Sequence, residues 1–175
     1  NDIWIKSVEP ASPDFHPRYD AVSRTYLYHL GLSAEARSPF HRHWCWPSAQ
    51  ALDEVLLKSA AETIAGEHSF KAFAKSGQPE RGDRCTVHES RWEPWAELGL
   101  TLRITANRFL HHMVRYLVGT MVDIAAGRRP LEDIRRLLEE PESELRTSPP
   151  APATGLFLHH VTYPSQPSPV EPSTV

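Results

Sequence analysis

A chain of 175 residues with 40% apolar content is long enough to bury one hydrophobic core, because domains cluster near roughly 100 to 150 residues. No stretch approaches the roughly 18 apolar residues that cross a bilayer. The opening residues also lack a basic-then-apolar signal pattern, so a soluble protein with no membrane partner is expected, and the presence of only two cysteines fits a reducing cytoplasm best. Cys45 and Cys85 are too few for a disulfide framework and lack the paired spacing of a structural zinc site. The net charge of −3 argues against a general nucleic-acid binder, but the charge is uneven. Residues 1–70 carry 6 basic and 9 acidic side chains, residues 71–130 carry 10 and 6, and residues 131–175 carry 3 and 7. A positive centre between acidic flanks can hold a phosphate backbone locally, although a solvated mixed surface explains so modest an excess as well.

In chain order, NDIWIKSVEP reads as a strand with Ile3 and Ile5 on one face and Trp4 on the other, as if the chain starts mid-protein. Over residues 16–32, Tyr26, Tyr28 and Leu30 share one face of an alternating stretch while Thr25, Leu27 and His29 share the other, which predicts a strand. Leu52, Val55, Leu56 and Ile64 recur near helical spacing between Ser48 and Ala65, with Pro47 and Ser48 at the start and Gly66 as the cap. Residues 74–84 have the composition of an exposed loop. Two strands, about 85–93 and 98–106, then form a hairpin with a longish connection.

The strongest periodicity lies in FLHHMVRYLVGTMVDIAAG, where Phe109, Leu110, Met113, Val114, Leu117, Val118, Met121 and Ala125 make one broad apolar stripe. A long buried helix capped by Gly127 follows from it. Pro130 suits the first turn of another helix running to about Glu140, and GLFLHHVTY reads as a last strand. Strands, helix, strands, helices and strand in that order argue α+β, an antiparallel sheet with helices packed on one face. Residues 1–164 are expected to form this domain, and the Pro- and Ser-rich residues 165–175 a flexible tail.

Four segments occur in a telling order: SRTYLYHL at 23–30, AGEHSFKAF at 65–73, ITANRFLHHMVRYLVGT at 104–120 and APATGLFLHHVTY at 151–163. Together they resemble the C-terminal half of the tRNA pseudouridine synthase A (TruA) family, and FLHHMVR is the most specific of them. The resemblance implies the C-terminal domain of an isomerase that converts uridines of the tRNA anticodon stem-loop to pseudouridine, with an aspartate nucleophile and neither metal nor cofactor. It further implies a homodimer with tRNA bound across both subunits.

In that family the aspartate lies in a Gly-Arg-Thr-Asp-Ala-Gly string of the N-terminal half, and no such string occurs here. Arg81-Gly82-Asp83-Arg84 comes nearest but lacks the flanking pattern, so Asp83 reads as a solvated loop residue. The missing N-terminal half of the same protein is thus an expected partner, and the chain alone is expected to be inactive.

By the same resemblance, Tyr26 stacks on the target base, Arg115 pairs with the catalytic carboxylate and Leu156 forms an apolar wall of the pocket. A phenol offers a flat face to a flipped uracil and an exchangeable proton, and an arginine stays charged when partly desolvated. Without the resemblance, Tyr26 is an aromatic strand residue packing a sheet, Arg115 belongs to a helix's polar face and Leu156 is core. Arg24, Lys71, Lys75, Arg81, Arg84 and Arg108 are candidate RNA-phosphate contacts as a group, because they flank the pocket segments or occupy the polar loop.

Two other readings compete: a non-catalytic RNA-binding or dimerisation module, and a metal-dependent hydrolase built on the ten histidines. His41, His43 and Cys45 alternate and so share a strand face. The adjacent pairs His111/His112 and His159/His160 diverge in a helix or strand and do not chelate as units, so no metal site is expected.

Overall fold

The computed structural model describes residues 3–75 and 82–164. The expected tail and the phosphate candidate Arg81 lie outside the described residues. The sheet is built around β1 (Ser23–Gly31), which pairs antiparallel with β5 (Gly99–Ala106) from Arg24↔Ala106 to Gly31↔Gly99. On its other side β1 pairs antiparallel with β6 (Leu156–Thr162), with a bulge between Thr25 and Tyr26. Beyond β5 come β4 (Arg84–Trp95) and then β3 (Gly66–Ser69), both antiparallel. Only the two-residue β2 (Trp46–Pro47) runs parallel to β1, which makes the sheet mixed rather than purely antiparallel.

The helices α1 (Glu54–Thr63), α2 (Met113–Ala125) and α3 (Glu132–Glu139) cover one face. Alternation along the strands sends Tyr28, Leu30, Leu102 and Ile104 into that layer, where they meet Leu57, Leu117, Met121 and Ile134. Each of these side chains is fully buried, and each contributes about 1.5–3 kcal/mol by leaving water. The opposite face carries a polar and aromatic lattice. Thr25 and Thr105 share a hydroxyl hydrogen bond of 2.8 Å, His29 Nδ1 lies 2.7 Å from the Thr101 hydroxyl, and the His29 ring stacks on Trp95 at 4.4 Å. The fold is therefore α+β with the helices on one side, as the element order predicts.

Several expectations need correction. Residues 3–10 form no strand and lie exposed: Ile3, Trp4 and Ile5 bury nothing against the described domain. Alternation alone does not make a strand when no neighbour supplies the ladder. The helix expected from Ser48 begins at Glu54, because the Asp53 carboxylate caps it by accepting from the Val55 and Leu56 amides. Ser48 instead donates its amide to the Gly31 carbonyl and extends the strand layer. The connection between β4 and β5 is short: Ala96 takes φ +44, and the Leu98 amide closes the turn on Trp95.

The long helix starts four residues later than its apolar stripe suggests, because His112 has φ +64 and cannot belong to it. At its other end Gly127, φ +69, donates to the Ile124 carbonyl and Arg128 donates to Asp123, which is the expected glycine cap.

Candidate active site

A cavity of about 660 Å³ opens where the start of β1, the loop from β5 to α2 and the end of β6 converge. Its apolar wall is made by Tyr26, Phe109, Leu110, Leu158, Val161 and Tyr163. The half-buried Tyr26 meets Phe109 edge to face with ring centroids 4.9 Å apart, an arrangement aromatic quadrupoles favour. The bulge beside Tyr26 lets both Leu158 and Val161 of β6 line the cavity, which strict alternation forbids. Arg18, Arg24, Arg108, His111 and His112 supply its cationic and imidazole lining, and no carboxylate lines it among the described residues.

Arg24 organises this corner. Its Nη1 donates to the Ala21 carbonyl at 3.0 Å and to Asn107 at 2.9 Å, and its Nη2 donates to Arg18 at 2.6 Å. One guanidinium thereby ties the segment before β1 to the loop after β5. The Tyr163 hydroxyl adds a second tie by donating to the Pro17 carbonyl at 2.9 Å. These ties place Arg18 and Pro17 at the cavity, beside lining segments that lie far along the chain, at 108–112 and 158–163.

Arg115 does not line the cavity but stands behind it. Its Nε donates to the Ala151 carbonyl at 2.6 Å, and the Ala151 amide donates back to the Arg115 carbonyl at 2.9 Å. Its two terminal nitrogens have no hydrogen-bond partner among the described residues, while the side chain is half-buried. Tyr28, one strand repeat from Tyr26, donates its hydroxyl to the Pro152 carbonyl at 2.8 Å. Burial pushes the Tyr28 phenol well above its ordinary value, and the positive Arg115 nearby opposes that shift. Leu156 pairs with Tyr28 across the β1–β6 ladder and packs half-buried against the core, so it also sits outside the cavity lining.

The structure brings Tyr26, Arg24 and Arg108 to one cavity and leaves other candidates apart. Lys71 is ion-paired with Glu142, and Arg84 with Glu67 at 2.7 Å. Lys75 lies nearer, because its amide donates to the His111 carbonyl. Sequence reasoning missed Arg18, Phe109, His111, His112 and Leu158 as site residues. Apart from Arg18, which the Arg24 and Tyr163 ties bring in, they lie in the quoted motifs, and the αL turn at His112 and the β6 bulge belong to the same stretches.

His112 has an unusual setting. Its Nδ1 is buried with no hydrogen-bond partner among the described residues, and its ring lies 4.2 Å from that of His111. Burial first, then the neighbouring His111, Arg115 and Lys75, hold its imidazole below the ordinary histidine value.

Cys45 is enclosed, with Sγ 3.5 Å from the Ala36 and His41 carbonyls. No group of three His, Cys, Asp or Glu residues is arranged to hold a metal ion among the described residues. Nor is any described helix long and apolar enough to cross a membrane.

An α+β domain with an aromatic cavity rimmed by cations is a domain suited to a polyanion bearing a flat base. Residues 60–164 match the family model described as tRNA pseudouridine synthase. The chain is 35% identical over 165 residues to tRNA pseudouridine synthase A of Porphyromonas gingivalis, covering 94% of this chain and 64% of the relative. It is 36% identical to tRNA pseudouridine synthase A 1 of Protochlamydia amoebophila, covering 93% and 63%, and 36% identical to tRNA pseudouridine synthase A of Dictyoglomus thermophilum, covering 93% and 64%. The chain belongs to the tRNA pseudouridine synthase family. It spans just under two thirds of the length of these relatives.

Proposed function

We propose that this chain carries the base-binding half of a tRNA pseudouridine synthase acting on uridines of the anticodon stem-loop, and that it is inactive without a segment that supplies the catalytic aspartate. The observation that carries this reading is the Tyr26–Phe109 pair set into a cavity that Arg18, Arg24 and Arg108 line with no carboxylate among the described residues. A flipped uracil needs a flat apolar face, and its flanking phosphates need cations.

In the complete protein the C1′–N1 bond of the uridine breaks, the base turns and a C1′–C5 bond forms. C5 loses its proton and N1 gains one, so the reaction balances without an external oxidant or reductant. Tyr26 stacks on the base, and its hydroxyl is the group placed to assist proton transfer. Arg115, with its terminal nitrogens unengaged by described residues, pairs with the incoming carboxylate and keeps it ionised. Leu156 backs the pocket through Tyr28 rather than touching the base.

Arg24 and Arg108 hold phosphate at the cavity, and Lys71, Lys75, Arg81 and Arg84 contribute as a dispersed group. The protein works as a cytoplasmic homodimer with tRNA crossing both subunits, and needs neither metal nor cofactor.

Tritium release from tRNA labelled at C5 of uridine tests the reading directly. Release by the chain extended through its upstream reading frame, and none by the 175 residues alone, is the expected result. Release by the 175 residues alone would place the nucleophile within them, and release by neither would favour a non-catalytic RNA-binding module.

A further inference from the structure

The α2 entry joins three features. His112 takes a left-handed backbone conformation, φ +64, which non-glycine residues hold only when the surroundings enforce it. Its Nδ1 is buried without a protein partner among the described residues, a state that costs free energy unless a bound group satisfies it. And it lines the same cavity as Tyr26, together with His111 and Arg108.

We propose that His112, together with His111, clamps one backbone phosphodiester of the bound RNA at the Tyr26 cavity. This rests on the reading that the cavity receives a nucleotide of tRNA, and it adds residues and a proton to it.

The surroundings favour an anion over a neutral base edge. On its own side His112 faces His111 in the turn before α2 and Arg115 and Tyr116 in the first turn of that helix; from the segment after Phe73 it faces Lys75; the same cavity is also lined by Arg108 and Arg18. None of these is acidic. Burial and adjacent cations disfavour the protonated form of this imidazole, and a phosphate that reverses the local potential favours it. RNA binding is therefore coupled to proton uptake at His112, and it strengthens as pH falls. A uracil edge, by contrast, would give a hydrogen bond with little dependence on pH or salt.

The test uses the full-length protein and an unmodified tRNA transcript. His112→Asn is the informative variant, since asparagine tolerates the left-handed conformation and keeps a neutral polar side chain. A thermal melt matched to wild type shows that it folds, and His112→Gly serves as a second variant on the same backbone. Wild-type affinity should rise about 3- to 10-fold from pH 8 to pH 6, on the scale of up to one pKa unit. In His112→Asn that rise should shrink, and the slope of log K against log salt at pH 6 should flatten by about 1.

If wild type binds tRNA and the variants keep its pH and salt dependence, the clamp is overturned while the synthase reading stands. Weaker binding by the variants with an unchanged salt slope overturns it too, in favour of a base contact. If wild type fails to bind tRNA, both readings fall.

Discussion

Arg115 and Ala151 hold each other twice: the Arg115 Nε donates to the Ala151 carbonyl at 2.6 Å, and the Ala151 amide donates to the Arg115 carbonyl at 2.9 Å. Side chain and main chain of one helical residue thus bracket one residue of the segment leading to β6. The contact uses the guanidinium through Nε, and its terminal nitrogens have no hydrogen-bond partner among the described residues.

Arg115→Lys should be far from conservative. Lysine keeps the charge but loses the planar fork that can serve Ala151 and a carboxylate together. In the full-length protein the expected result is a loss of about 10²-fold or more in single-turnover rate, with tRNA affinity nearly unchanged. Loss of the Ala151 contact should also lower stability by about 1 kcal/mol, read from urea unfolding. A rate within a few-fold of wild type would remove Arg115 from the reaction.

Gly119 makes the same bracket possible from below. A Cβ there would lie 2.1 Å from the Pro149 carbonyl oxygen, a backbone atom that cannot swing aside. Gly119→Ala should destabilise the domain by about 1–3 kcal/mol, as overpacking generally does. It should also slow turnover, because residues 149–151 must move and carry the Arg115 contact with them. Circular-dichroism melts and the tritium assay check the two effects separately.

Alkaline pH should expose Tyr28. Burial raises its phenol in the folded chain above the unfolded value near 10, so between those two values the unfolded chain releases a proton that the folded chain keeps. Stability from this group is complete below about pH 10 and falls above it, at up to about 1.4 kcal/mol per pH unit. Tyr28→Phe should flatten that fall. It should also cost about 0.5–1.5 kcal/mol at neutral pH through the lost hydrogen bond to Pro152. An identical alkaline slope in wild type and variant would show that Tyr28 ionises as freely folded as unfolded.

Both cysteines should resist thiol reagents in the native state. Cys45 and Cys85 are buried; burial raises both thiols, and that of Cys85 reaches about 11 despite the nearby Arg108. At pH 8 almost no Cys85 thiolate is present, and access to either thiol requires opening. Pulse alkylation should label neither residue in buffer and both in denaturant, and rapid native labelling of Cys85 would mean that the β3–β4 edge opens locally.

What the sequence carried was pattern with a fixed period. The alternation of Tyr26, Tyr28 and Leu30 determined β1, and the stripe from Met113 to Ala125 determined α2. In both, the apolar residues occupy the positions that burial requires. The Asp53 cap and the failure of residues 3–10 to form a strand were less legible, since a side chain's choice between capping and solvent, or a strand's choice of neighbour, is made by other segments.

The motifs named Tyr26, Arg115 and Leu156, but their periodicity could not say that only Tyr26 lines the cavity. Leu156 backs Tyr28 because ladder register, not residue type, decides which side chain it meets.

The sequence by itself therefore determined the main strands and helices, most core-facing residues and the family, because each is written in local spacing or in strings, although Val55, on the apolar spacing of α1, is exposed. Tertiary structure alone decided the site. The β6 bulge and the ties of Arg24 to Asn107 and of Tyr163 to Pro17 depend on contacts between segments far apart in the chain. Those contacts form only when the sheet closes around β1, and they are what gathers cations from three segments around one aromatic ring.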